Sequence, residues 1–320
     1  MSGHETRQIY CFLDCLAHAI GTSGQVDWQP LYFGVWDLPF AYSERDGFAY
    51  YSDRFLVPEL FDHFELLYGQ PLEQWYDYGA SGAANFLRLE RLAERSDGRT
   101  LLVMADLYYL PHSVRCGREH FPHFLLVDGR TPDGGWQLSD PYWGWSGVVP
   151  HETMRAGFGC QGMGTGVAIR PRQLRQPDTR AIARAFESRF SLAGSPGSLT
   201  EAVRRYGERL LDGRTTLEPK RLQAQIEQAK TLVKRLNGYR VCAHYFAAGL
   251  DGPPGEDRTA ELLKQWDSLL LMLFRLGMTG SRSVDPEAFR SRTAQIDEAE
   301  RLVRQELWKR FERWRECYAA

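Results

Sequence analysis

Several common classes of protein can be set aside from what this sequence lacks. Its longest strongly apolar stretch, Leu269–Phe274, is far short of the ~20 residues that cross a bilayer. The opening segment, Met1 to Tyr10, is polar and has no apolar core of the signal-peptide kind, so a cytoplasmic location is the expectation. Cysteine is sparse: six in 320 residues, at positions 11, 15, 116, 160, 242 and 317, with no paired CxxC clusters. That spacing argues against a disulfide scaffold and a structural zinc site, and leaves thiols available for chemistry in a reducing compartment. No Walker loop, no GxGxxG following a strand and no HExxH stands in the chain, so neither an intrinsic cofactor nor a metal is expected. Internal repeats are absent as well.

The chain also lacks a dominant charge. A net −2 hides an asymmetry: residues 1–172 hold 13 Lys and Arg against 21 Asp and Glu, whereas residues 173–320 hold 26 against 20. A nucleic-acid binder would show a dominant basic patch. An acidic half beside a basic half better suits a cationic small substrate on one side and an acidic partner on the other. What is plentiful is aromatic surface, 13% of residues with nine Trp, concentrated in the first half. Aromatic side chains build cores and also line pockets for flat ligands.

Periodicity divides the chain near residue 175. Residues 11–20 (CFLDCLAHAI) read as a short buried helix closed by Gly21. Helices are expected over 55–68 and 82–96, and short strands at Leu31–Val35 and Phe48–Tyr51. Apolar runs at Leu101–Leu107 and Phe124–Val127 read as buried strands. Asp128-Gly129 marks a turn leading to a partner strand at Trp136–Ser139, and Gly166–Ile169 is a last strand. Thereafter the patterns are helical over 178–192, 199–212, 217–250, 257–277 and 285–318, with a loop over 193–198. In the last, Ile296, Ala299, Val303, Leu307, Phe311 and Trp314 recur at helical spacing. The expectation is an α+β fold with a catalytic domain over 1–174 and a helical domain over 175–320. Docking of an acidic partner, a lid, or pairing with a second copy are the roles open to the latter.

Three residues in the first half carry the chemistry. Cys11 opens the predicted helix, where free backbone N–H groups and the positive end of the helix dipole favour a thiolate and can hold an oxyanion. His123 stands immediately before a predicted strand, placed to take and return a proton. Asp140 ends the neighbouring strand and can fix the imidazole tautomer. Cys15, one helical turn on, is the alternative nucleophile, and its position inside the helix deprives it of the free N–H groups. His120 is the alternative base. Asp37, Asp77 and Asp106 are candidates for pairing with ammonium groups. Trp36, Trp75, Tyr108 and Trp143 are candidates for stacking on an aryl ring or a cation.

The runs Tyr10-Cys11, Tyr32-Phe33-Gly34, Asp106-Leu107-Tyr108-Tyr109-Leu110-Pro111, His123 to Gly129 and Ser139-Asp140-Pro141 resemble the butirosin biosynthesis protein H family. Its usual His before the nucleophile is replaced here by Tyr10. The resemblance implies a papain-like fold and transfer of an acyl group from a carrier-protein thioester to an amine. The runs Cys11 to Cys15, Tyr32 to Asp37, Glu73 to Asp77 and Phe121-Pro122-His123 resemble acyltransferases of siderophore biosynthesis. That likeness implies a 3,4-dihydroxybenzoyl group, carried on the phosphopantetheine of an aryl carrier protein, and a polyamine acceptor such as spermidine. A cysteine hydrolase, thioesterase or peptidase, would use the same site with water as acceptor. A protein that keeps the fold without the chemistry is the third reading, and retention of all three residues counts against it.

Overall fold

A computed structural model describes residues 8–44, 47–51, 58–95, 97–158, 164–192, 198–213, 218–248, 258–279 and 284–318. Cys160 and most of the loop expected over 193–198 lie outside the described residues. Along the chain run α1 (Cys11–Ser23), β1 (Ala41–Ser43), β2 (Gly47–Ala49), α2 (Pro58–Tyr68), β3 (Glu73–Gln74), α3 (Gly82–Ala93), β4 (Thr100–Asp106) and β5 (Pro122–Arg130). They are followed by β6 (Trp136–Asp140), β7 (Trp145–Val149), α4 (His151–Phe158) and β8 (Gly166–Ile169). Helices alone follow: α5 (Thr179–Arg189), α6 (Leu199–Leu211), α7 (Pro219–Lys234), α8 (Gly238–Ala247), α9 (Arg258–Thr279) and α10 (Pro286–Tyr318). The architecture is α+β. No helix among the described residues is long and apolar enough to cross a membrane.

Two compact units divide the chain, Met1–Leu31 with Pro58–Asp178, and Tyr32–Val57 with Thr179–Ala320. The sequence expectation put Tyr32–Val57 with the first part; in the structure it groups with the helices.

In the first unit a six-stranded antiparallel sheet has the order β3-β8-β4-β5-β6-β7. Its centre is apolar because β4 and the first half of β5 are continuous runs of Leu, Val, Met, Ala and Phe, which suit strands covered on both faces. Leu102, Val103 and Leu125 have no exposed surface, and each such side chain contributes about 1.5–3 kcal/mol by leaving water. Helix α1 packs on β5 and β4, bringing Phe12 against Phe124 with ring centroids 4.9 Å apart. The register sets His123 opposite Ala105, Asp106 opposite Pro122, and Asp140 opposite Trp145. His123 is therefore inside β5, not before it. Strand β7 and helix α4 were not foreseen; β7 alternates half-buried and exposed residues without a strong apolar run.

Two further expectations fail for physical reasons. The aromatic stretch Leu31–Val35 is not a strand, because Gly34 takes the left-handed conformation at φ 75° and the chain winds into short 3-10 turns on either side. A side chain at Gly34 would also meet the Cβ of Arg189 at 2.7 Å. The helix expected over 217–250 breaks at a turn over Arg235–Asn237. Arg235 is buried there, donating to the carbonyls of Leu38 at 2.9 Å and Pro39 at 3.3 Å, and to that of Tyr50. Nearby, Arg304 of α10 is 4% exposed and grips Asp37 with two hydrogen bonds, 2.9 and 2.6 Å, while also reaching Glu300 at 3.0 Å.

A buried guanidinium that loses its bidentate partner is left short of counter-charge and of hydrogen-bond acceptors, even with Glu300 still beside it. Asp37→Ala is expected to lower the unfolding free energy by about 3 kcal/mol, measured by urea denaturation. A change within about 0.5 kcal/mol, the size of an ordinary surface substitution, would return Asp37 to the residues available to a ligand.

Candidate active site

Helix α1 begins without a side-chain cap: Tyr10, its N-cap, is extended at φ −156° and ψ 115°. The first helical bond runs from the Asp14 N–H to the Tyr10 carbonyl at 2.9 Å, so the N–H groups of Cys11, Phe12 and Leu13 precede it. Asp14 replaces the missing cap from inside the helix. Its carboxylate accepts the N–H groups of Ile9 at 3.0 Å and Tyr10 at 3.2 Å, which fixes the direction in which the chain enters Cys11. Gln8, just upstream, is the one non-glycine residue with positive φ among the described residues, at 48°.

The thiol of Cys11, 5% exposed, lies within hydrogen-bond reach of the His123 imidazole. The other side of that imidazole is fixed: His123 Nε2 is 3.0 Å from Asp140 Oδ1. An ionised carboxylate only accepts, so Nε2 carries the proton and Nδ1 is the nitrogen that meets the sulfur. Burial alone would lower the His123 pKa. The charges of Asp140 and Cys11 and their hydrogen bonds outweigh it and raise His123 from 6.5 to about 10. Asp140 is wholly buried, which alone would raise its pKa, yet His123 and His112 hold it down at about 2. Tyr142 sets its ring edge-on to His123, 5.4 Å away at 81°.

Cys15 is differently placed. It has no exposed surface, its thiol donates to the Phe124 carbonyl at 3.4 Å, and burial pushes its pKa well above the ordinary range. A neutral thiol held against a strand is a poor nucleophile. His120 does not join His123 either. Its Nδ1 lies 2.6 Å from Asp106 Oδ2, and its ring stacks on Tyr108 at 4.3 Å. Asp106 is fully buried and also accepts the N–H groups of Tyr108 at 3.0 Å and Phe121 at 2.9 Å. The structure thus gathers Asp106, Tyr108 and His120 into a second cluster that organises the β4–β5 connection.

The remaining candidates are engaged in the fold. Trp75 is core: its indole N–H is shared by the carbonyls of Leu102 at 3.2 Å and Val167 at 3.1 Å. Asp77 shapes a turn by accepting the Gly79 N–H at 2.8 Å. Trp36 and Asp37 belong to the second unit, where Trp36 stacks on Tyr239 at 4.1 Å and Asp37 is held by Arg304. Trp143, next to the site in sequence, is 43% exposed and sends its backbone N–H to Asp140 at 3.3 Å. Two neighbours of the trio escaped the sequence reading. Asp14 left a faint signal, an acidic residue one turn after the helix start, related to the capping box. His112 left none: it sits in the β4–β5 connection, and its Nε2 lies 3.0 Å from the second oxygen of Asp140.

Residues 6–174, which carry this geometry, match the family model of the DUF6005 N-terminal domain. The chain belongs to the DUF6005 family. The DUF6005 match stops four residues short of the end of the first unit at Asp178. The DUF6005 chain is also similar throughout its length to petrobactin synthase of Bacillus anthracis, 22% identical over 319 residues, covering 97% of this chain and 96% of that protein. The resemblance to siderophore-biosynthesis enzymes drawn from the short runs around Cys11, Phe33 and His123 is thereby narrowed to petrobactin synthase and extended to the helical half.

The raised pKa of His123 links folding to pH with a definite sign. Its contribution is complete below the unfolded value of 6.5 and drains away as pH rises toward about 10. The melting temperature of the wild type over His123→Gln is therefore expected to be greatest near pH 6 and to narrow on the alkaline side. A gap that widens with pH would reverse the assigned charge.

Proposed function

We propose that this DUF6005 protein is an amide-forming acyltransferase of siderophore biosynthesis that works through an acyl-Cys11 intermediate on a papain-like catalytic unit, in the cytoplasm. The carrying observation is the chain of contacts Cys11–His123–Asp140 at a helix start, on a protein similar to a petrobactin synthase.

The chemistry follows from the charges. With His123 protonated and Asp140 ionised, the imidazolium stands ready to stabilise a thiolate on Cys11. The Cys11 thiolate attacks the carbonyl carbon of an acyl thioester on a carrier protein's phosphopantetheine. The N–H groups at the start of α1 receive the oxyanion. Collapse breaks the donor C–S bond, and the departing pantetheine sulfur takes the proton of His123. A neutral amine then attacks the acyl-Cys11 carbonyl, His123 takes the amine proton, and the second C–S bond breaks to restore the thiolate. One thioester and one amine become one amide and one thiol. Thioester exchange is near even in free energy, and amide formation pulls the sequence forward.

The acyl group we assign is 3,4-dihydroxybenzoyl, the donor an aryl carrier protein and the acceptor a polyamine such as spermidine. The excess of acidic residues over 1–172 suits a polycation, and the basic excess over 173–320 suits an acidic carrier.

Intact-mass measurement after mixing with 3,4-dihydroxybenzoyl carrier protein should show one acyl adduct. It should be lost in Cys11→Ala and retained in Cys15→Ala, and added spermidine should discharge it as an amide. The opposite pattern would move the nucleophile. Discharge as free acid regardless of amine would make the protein a hydrolase.

A further inference from the structure

Beyond the trio, Asp140 has a second imidazole. His112 Nε2 lies 3.0 Å from Oδ2, while His123 Nε2 lies 3.0 Å from Oδ1. The carboxylate thus accepts one N–H on each oxygen, with the Trp143 N–H at 3.3 Å as a third donor on Oδ1. Little else holds His112 to that role except its stack. Its ring lies on the indole of Trp145 with centroids 3.9 Å apart and planes 7° from parallel. Trp145 is the residue opposite Asp140 in the β6–β7 register, so one strand pair sets both the carboxylate and the plate beneath the imidazole. The His112 side chain is 5% exposed, and its Nδ1 is buried with no hydrogen-bond partner among the described residues. An imidazole kept in the dry interior with one nitrogen unmatched gives up hydrogen-bonding capacity. What it gains is the single bond to Asp140.

We infer that His112 is a positioning residue for the Cys11 site, which pins the second oxygen of Asp140 and keeps that carboxylate ionised and aimed at His123. The inference rests on Cys11 acting as the nucleophile. A wholly buried carboxylate bonded on one oxygen only would rotate and would take up a proton more readily. Two imidazoles on opposite oxygens prevent both. The titratable groups facing Asp140 are His112 from the β4–β5 connection, His123 from β5, Cys15 from α1 and Tyr142 just beyond β6. Of these, the two imidazoles favour its charge, and that charge in turn helps keep Cys15 and Tyr142 protonated and neutral. Removing His112 removes half of the favourable set.

The test reads the ionisation of Cys11 without any acyl donor. Iodoacetamide labelling of Cys11, followed by peptide mass mapping, is measured against pH in the wild type, in His112→Phe and in His112→Gln. Phe keeps a ring on Trp145 and has no donor; Gln offers an amide N–H at about the reach of Nε2. In His112→Phe the acid limb should move up by about one pH unit, read as about tenfold slower labelling on the limb, with the plateau little changed. In His112→Gln the limb should stay close to that of the wild type. A Phe profile superimposed on the wild type, or a Gln profile displaced as far as Phe, overturns the inference. If His112→Phe does not fold, the imidazole N–H proton resonances decide instead: the signal of His112 must move in Asp140→Asn, and an unmoved signal overturns it. Wild-type Cys11 that resists labelling at every pH counts against the nucleophile. A reactive wild type with no effect of His112→Phe counts against His112 alone.

Discussion

The candidate site is organised around one buried charge. Asp140 has no exposed surface, yet its pKa lies below that of a carboxylate in water because each oxygen receives an imidazole N–H. That charge makes a protonated His123 affordable in the interior, and a protonated His123 is what a thiolate at Cys11 requires. The surrounding elements serve the same end. Strands β5 and β6 pair, Asp140 at the end of β6 reaches His123 at 3.0 Å, and α1 packs on β5 through Phe12 and Phe124. Asp14 holds the approach to Cys11 from within the helix.

The nucleophile is chosen by position along a helix. Cys11 and Cys15 lie one turn apart on the same helix. At the first position a thiol meets N–H groups not yet used by the helix and an imidazole across a short gap. One turn later it meets a strand carbonyl and apolar packing, and burial keeps it protonated.

Much of this was legible in the residues. Helix α1, the central strands β4 and β5, and the long terminal helix carry strong periodic or continuous apolar patterns, and they are where the patterns put them. Cys11, His123 and Asp140 sit at element ends or edges that such patterns locate, and the structure brings them into one unit. The contacts that span sequence without periodicity were not legible. His112 reaches Asp140 across 28 residues from a connection that has no repeat. Arg304 reaches Asp37 across 267 residues, so an aspartate with an apparent vocation for a cationic ligand is instead neutralised by its own chain. Aromatic residues misled in the same way. Trp36 and Trp75 have the chemistry of a ligand shelf, but their rings are core, stacked on Tyr239 or bonded to two strand carbonyls. Gly34 overrode the strand-like composition around it through a single left-handed dihedral.

The β6–β7 hairpin carries a further consequence. Only Pro141 to Gly144 separate Asp140 from the Trp145 that faces it, and Gly144 turns the chain at φ 65°. Side chains alternate between the two faces of a strand, so one residue added to this connection would present Ser146's neighbours on reversed sides and carry the indole away from His112. His123 would keep its grip on the carboxylate, since β5 and β6 pair independently of that loop. Length variation among relatives at this connection should therefore be a visible trace of whether the outer imidazole is in use: four residues where the stacked pair is kept, other lengths where position 112 has drifted to another residue type.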